Sequence, residues 1–453
     1  MSPAADYLQE LADFASGFKA PDLPANVLER VKWMVADCLG VTGAGMQEPE
    51  MAAYARIHMG SAASGNAWVI GAGVRSNALC AAFLNGIAGT WHELDEGHTL
   101  AKGHPAIQLF PAALAVAQEE HVSGLELLAA IAIGYEVSSR INRAGRIRPG
   151  IHPHGTFGVI GAALAVARMR RLPAGDYRRL INIAAGLPLA SSYNSIQDGA
   201  TVRNVFTGHS AFMGINAVRF TEAGFTGEKD GVRTTFGTVL GDAFEPEVAL
   251  AGLGTDWMTA NGYFKLQPTA RSIHPAIDAV EDAVGKAPGK RIAPERVTDI
   301  RVRTFGSAAQ KKQKDIRTAF GAKFSIPFAV ATFIVNGRAT LDCFDDDDVA
   351  NPLIQTLLGK VDLAEDVAMT QAYPGKQPCT VEIRLENGES YEGRCDIVRG
   401  EPGKPNVIGE IRGKFMNLAA PVWGETLAAR LFDDCMAFDG IADVAGWSEG
   451  FSL

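Results

Sequence analysis

The sequence predicts an α+β protein, with a large all-helical domain and a second, smaller α+β domain. Three observations carry this. Up to about residue 260, apolar residues recur at three-to-four spacing or cover most of a helix surface. Near residue 290 the pattern becomes the two-residue alternation of half-buried strands. After the linker signal "GEPGKPN" it turns helical again. The helical domain is expected over 1–268, completed by C-terminal helices over 405–453. The α+β domain is expected over 269–404.

In order, "VLERVKWMVADCLGVTGAG" is amphipathic and ends in Gly. "GLELLAAIAIGYEVSSRI" and "FGVIGAALAVARMRRL" are apolar on most sides, as helices inside a bundle are. Ala and Gly abound here, and small side chains let helix backbones approach closely. "VIGAGVRS" lacks the complete GxGxxG and a βαβ setting, so it reads as a turn. Further on, "RVTDIRVRTFG" alternates as a strand. "CTVEIRLENGESYEGR" reads as a hairpin turning at Asn-Gly. Between them, "FSIPFAVATFIVNG" and "NPLIQTLLGKV" read as helices. The acidic "DCFDDDDVA" lacks the EF-hand Gly and closing Glu, so it reads as a solvated loop or helix start. The tail "GEIRGKFMNLAAPVWGETLAARLF" is helical and is expected to pack on the first domain.

Composition removes several function classes. At 453 residues, two domains are the default. A hydrophobic fraction of 47% with 21% charged residues is that of a globular protein. A net charge of −9 argues against nucleic acid as a partner. No run of 18 uninterrupted apolar residues occurs, so no membrane span is expected. The opening "MSPAADYLQELADFASGF" lacks the cationic start and apolar run of a secretory signal. The six cysteines are scattered without a CxxC pair, which suits reduced thiols in a cytoplasmic protein and no zinc or iron–sulfur centre.

The chemistry concentrates in the histidines. Of the nine, His92, His98 and His104 share "WHELDEGHTLAKGHP", and His152 and His154 share "GIHPHGTFGVIG". His209 lies in "TVRNVFTGHSA" and His274 in "FKLQPTARSIHPAIDA". Each segment is broken by Gly or Pro and leads into an apolar helix, so its polar residues are expected to converge at helix ends. Lys102, Arg203, Lys265 and Arg271 accompany them. A pocket lined by His, Lys and Arg suits a substrate with several carboxylates. The same cations would repel a divalent metal, and "HELDEGH" is not HExxH, so no metal is expected. No GxSxG elbow marks a nucleophile.

Taken together, the segments resemble the MmgE/PrpD family over nearly the whole chain. The likeness runs through "ADCLGVTGAG", "AAFLNGIAGTWHELDEGH…HPAIQLFPAALA", "GYEVSSRI", "HPHGTFGVIGAALAVARM", "VRNVFTGHSAFMGINAV", "FKLQPTARSIHPAIDAV" and "KFSIPFAVA". It implies a large helical domain with an α+β lid, a homodimer, and catalysis without metal or organic cofactor. The family includes 2-methylcitrate dehydratase, cis-aconitate decarboxylase and iminodisuccinate epimerase. Its acidic Asp-Phe-Asp-Asp motif falls on Glu93-Leu94-Asp95-Glu96. Its pocket histidines fall on His104 and His152, its basic residue before the next buried helix on Arg203, and its pocket lysine on Lys265. Glu93 replaces the usual first Asp. Gly97 stands where the decarboxylases carry Thr, and Arg203 where they carry Lys. "QPTAR" replaces Tyr-Pro-Cys-Cys and adds Arg271. These departures argue against the decarboxylase and against 2-methylcitrate itself as substrate.

The resemblance implies proton movement at a carbon beside a carboxylate, which needs a positioned base and cationic stabilisation. His104 and Lys265 are the expected proton-transfer pair, with His152 orienting the substrate or protonating the leaving group. Arg203 and Arg271 are expected to clamp carboxylates. Glu93 and Asp95 would orient His or Lys or bind a substrate hydroxyl, and His154 and His274 would complete the substrate contacts. The expected activity is that of a cofactor-independent hydro-lyase of the 2-methylcitrate dehydratase type on a small di- or tricarboxylic acid. An epimerase, a decarboxylase and a non-catalytic organic-acid-binding protein are the alternatives.

Overall fold

The computed structural model describes residues 6–402 and 407–451. Helices α1 (Tyr7–Gly17), α2 (Ala25–Met46) and α3 (Pro49–Met59) open the chain. A small antiparallel hairpin follows, β1 (Ala67–Val69) and β2 (Val74–Ser76). Its turn is the "IGAG" stretch, where Gly71 and Gly73 take φ of 76° and 66°. Next come α4 (Ala78–Ala88), α5 (Pro105–Glu119) and α6 (Gly124–Ala144). Ser123 caps α6 by accepting from the Glu126 amide. β3 (Gly145–Ile147), α7 (Gly158–Met169), α8 (Tyr177–Ala185), α9 (Val205–Glu222) and β4 (Gly241–Phe244) complete this part, with β3 and β4 antiparallel.

The bundle is tight where glycines face each other. A Cβ on Gly134 of α6 would lie 2.4 Å from the Gly161 carbonyl oxygen of α7. One on Gly86 of α4 would lie 2.8 Å from Gly208 Cα of α9. At these crossings backbone meets backbone, and the Ala/Gly-rich composition is what permits it.

The second region begins with α10 (His274–Gly285) and β5 (Val297–Thr304), followed by α11 (Ile326–Asn336) and α12 (Pro352–Lys360). Strands β6 (Val361–Glu365), β7 (Cys379–Leu385) and β8 (Ser390–Cys395) finish the sheet. Its order is β6-β5-β7-β8. β5 pairs parallel to β6 and antiparallel to β7, and β7–β8 is the hairpin turning at Asn387-Gly388. The acidic run starts a short helix, Asp346–Ala350, with Asp345 accepting from the Asp348 amide at 2.8 Å.

Helices α13 (Val407–Trp423) and α14 (Glu425–Met436) return to the first region. Trp423 abuts Gly43 of α2, and its ring lies 6.0 Å from that of Trp68 in β1. One apolar core spans Tyr7 to Phe264 and takes in Ile411 to Phe451; a separate one spans Ile273 to Val398. All six cysteines are buried. No helix among the described residues is long and apolar enough to cross a membrane.

Two sequence expectations need correction. The stretch read as wholly helical contains the β1–β2 and β3–β4 pairs. Strands of three or four residues are too short to display an alternation. The helix expected over "NPLIQTLLGKV" ends at Lys360, and the last residue of that stretch, Val361, opens β6. The strand starts directly after α12, and its pairing comes from β5, far away in sequence. The linker "GEPGKPN" runs over residues 400–406, of which 403–406 lie outside the described residues.

Candidate functional site

The acidic loop lies between α4 and α5. Glu93 sits on left-handed backbone, with φ of 55°. The loop is held from behind. Asp37 of α2 accepts from the Glu96 amide at 3.0 Å. Lys414 of α13 donates to Asp37 at 2.5 Å and to the Leu94 carbonyl. On the other side Gly97 and Tyr263 exchange two backbone hydrogen bonds, at 3.0 and 2.7 Å. A Cβ on Gly97 would lie 2.5 Å from the Tyr263 hydroxyl oxygen, so the tyrosine occupies the space a larger side chain would need.

The side chains form a buried ion chain. Arg203 donates to Glu93 and also to the Thr90 carbonyl at 3.1 Å. Lys265 Nζ donates to Glu93 Oε1 at 2.8 Å and to the Glu93 carbonyl at 3.2 Å, and lies 4.0 Å from Asp95. Asp95 Oδ2 in turn is 3.0 Å from His104 Nδ1. Burial pushes the Glu93 carboxyl up, but Arg203 and Lys265 more than offset it and hold it below the ordinary carboxylate range. Burial acts likewise on Asp95, and His104 and Lys265 bring it below its ordinary value.

Two histidines are set in opposite hydrogen-bond states. His104 N-caps α5, and its Nδ1 lies 2.8 Å from the Glu96 carbonyl oxygen. A carbonyl only accepts, so Nδ1 carries a proton, and in the neutral form of the ring the lone pair is on Nε2. Nδ1–H aligns on that carbonyl, and Asp95 acts on the ring through its charge. In His152 the roles reverse. Its Nδ1 accepts from the His154 amide at 3.0 Å, so Nε2 carries the proton. Burial and the nearby Arg203 push the His152 pKa well below its ordinary value, so the ring stays neutral.

A cleft of about 280 Å³ opens over this wall. Of the expected residues, Glu93, His104, His152, Arg203 and Arg271 line it. Lys265, Asp95, His154 and His274 stand behind the lining. His154 is fully buried between His104 and His152, with ring centroids at 4.9 and 4.6 Å. His274 accepts from Arg271 at 3.4 Å and donates to the Thr269 carbonyl at 3.3 Å, so it holds the guanidinium in place. Arg271 is further fixed by Glu401 at 2.6 Å and by stacking 4.4 Å over the Tyr263 ring.

The remaining histidines have structural partners. His98 also borders the cleft, but its Nδ1 accepts from the Leu100 and Ala101 amides, both at 3.1 Å, and so shapes the loop. His92 is pushed down to about 3, chiefly by burial, and sits 3.6 Å from Glu48. His209 donates to the Leu187 carbonyl at 2.9 Å.

Among the described residues, Asp95, His104 and His154 each bring one possible ligand atom within 4.8 Å of the others. The Lys265 ammonium, 4.0 Å from Asp95, would repel a divalent cation there. The donor set therefore fits a metal poorly.

Residues 9–245 match the MmgE/PrpD N-terminal domain, and residues 268–437 match the MmgE/PrpD C-terminal domain. The chain belongs to the MmgE/PrpD family. A cis-aconitate decarboxylase-like protein of Aspergillus oryzae is 26% identical, over 98% of this chain and 97% of the relative. A cis-aconitate decarboxylase of Aspergillus terreus is 25% identical, over 96% and 94%. The Homo sapiens cis-aconitate decarboxylase is 24% identical, over 90% and 86%.

Within this MmgE/PrpD cleft, sequence reasoning missed Tyr193, Tyr263 and Lys311. The tyrosines carry no motif and are recruited by folding. Lys311 lies in "AQKKQK", which reads as a solvated charge run. Lys323 was missed as well; it is buried and pushed down to about 8, chiefly by burial.

Proposed function

We propose that this protein is a lyase that removes a proton from the carbon beside a carboxylate of a small polycarboxylic acid. The observation that carries this is the pair of opposed histidines on one cleft: His104 holds its proton on Nδ1, so its neutral form presents Nε2 as a base, and His152 carries its proton on Nε2. His104 takes the proton. The resulting imidazolium keeps its Nδ1–H on the Glu96 carbonyl and gains the Asp95 charge beside it. Electron density moves onto the substrate carboxylate, where the His152 N–H and the Arg203 guanidinium receive it.

The reading we favour is hydro-lyase. The C–H bond breaks, the C=C bond forms and the neighbouring C–O bond breaks. His104 then gives its proton to the departing hydroxide, so water leaves and the histidine is restored. The names of the relatives favour a second reading, decarboxylation, in which the C–C bond to a carboxylate breaks, CO₂ departs and the electron pair left on carbon takes a proton from the His104 imidazolium.

Mass spectrometry of EDTA-treated protein with citrate, 2-methylcitrate and cis-aconitate in D₂O separates them. Loss of water supports the first reading and loss of CO₂ the second. Unchanged mass with deuterium uptake indicates an epimerase. Activity that EDTA removes and a metal restores overturns the metal-free mechanism. Neither turnover nor exchange overturns the proposal for these acids.

A further inference from the structure

Five charged side chains line the cleft: Glu93, Lys102, Arg203, Arg271 and Lys311. Most of their charge is already matched. Glu93, with Asp95 behind it, balances Arg203 and Lys265. Glu401 balances Arg271. Among the described residues, Lys102 and Lys311 have no carboxylate within the 4.0 Å of an ion pair. Lys102 is exposed at the rim, whereas Lys311 is half-buried.

Lys311 is the better placed of the two. Its carbonyl accepts from the Ile326 amide at 2.9 Å, so its backbone is pinned to the start of α11. Its Nζ lies 5.5 Å from the Tyr193 ring centroid and 5.9 Å from that of Phe324, with the Tyr193 hydroxyl at 3.4 Å. An ammonium so held, half-buried and without a counter-ion, is ready for an anion. It also belongs to the β-sheet region, whereas His104, His152 and Glu93 belong to the helical one.

We propose that Lys311 is the site for a second substrate carboxylate, remote from the one at the reacting carbon. The site therefore selects acids with two or more carboxylates, and the bound substrate bridges the two regions of the fold. This rests on the polycarboxylate reading above.

Calorimetric titration with propane-1,2,3-tricarboxylate, glutarate and butyrate tests it. Lys311→Met weakens the first two by about 10–100-fold, the range for losing a hydrogen bond to a charged group, and leaves butyrate unchanged. Lys311→Arg retains most of the affinity. Lys312→Met, one residue away and exposed, changes nothing, which separates a local contact from net charge. Lys311→Gln replaces Lys311→Met if the latter does not fold. Unchanged affinity in the neutral variant, with wild-type binding intact, overturns the Lys311 assignment alone. If the wild-type protein binds neither polycarboxylate, the substrate reading falls and this inference with it.

Discussion

His104 and His152 are the same residue type in opposite states, and the backbone sets the difference. A carbonyl faces Nδ1 of one and an amide faces Nδ1 of the other. His104→Asn keeps a donor for the Glu96 carbonyl but loses the lone pair. Solvent exchange at the substrate α-carbon, followed by NMR, is expected to fall by about 10²–10⁴-fold with the melting temperature nearly unchanged. Glu93 is different in kind. Its removal leaves Arg203 and Lys265 buried with less counter-charge, so Glu93→Gln is expected to cost about 3–5 kcal/mol in urea unfolding. At this scale His104, His152, Glu93 and Arg203 were legible as a group, because histidines and charges clustered at helix starts have few other uses. Which of them reach the cleft was not. Lys265 and His274 sit in segments of the same character as the others, and only packing turns them behind the wall.

At the level of elements, the helices were legible and the short strands were not. Helical periodicity repeats over several turns, whereas β1 to β4 offer three or four residues each. The small-residue composition had a structural meaning that can be tested. Gly134→Ala pushes a methyl against the Gly161 carbonyl and is expected to destabilise the protein by about 1–3 kcal/mol in chemical denaturation. Gly285→Ala, where nothing lies within 4 Å of the added methyl, would not.

For the molecule as a whole, pH exposes the buried groups. Glu96 is pushed up from 4.5 to about 8, chiefly by burial. Between those values the folded chain holds a proton that the unfolded chain has lost, so this group lowers stability as pH rises through that window. Glu96→Gln is expected to remove that slope when melting temperature is measured from pH 5 to 8. His152, His154 and His274 act in the other direction. Burial holds all three well below 6.5, so the unfolded chain binds more protons below that value and stability falls as pH falls. Acid melting curves of the wild-type protein should show this loss beginning near pH 6.5.

The sequence by itself determined the fold class, the family likeness and the grouping of histidines and charges at helix starts. These follow from periodicity and from residue types, which are local properties of the chain. Only the tertiary structure decided the tautomers, the division between cleft and supporting wall, and the arrival of Lys311 and two tyrosines from distant segments. Those depend on which atoms meet across hundreds of residues. Lys414 holding the Leu94 carbonyl from 320 residues away is the plainest case, since nothing in either segment names the other.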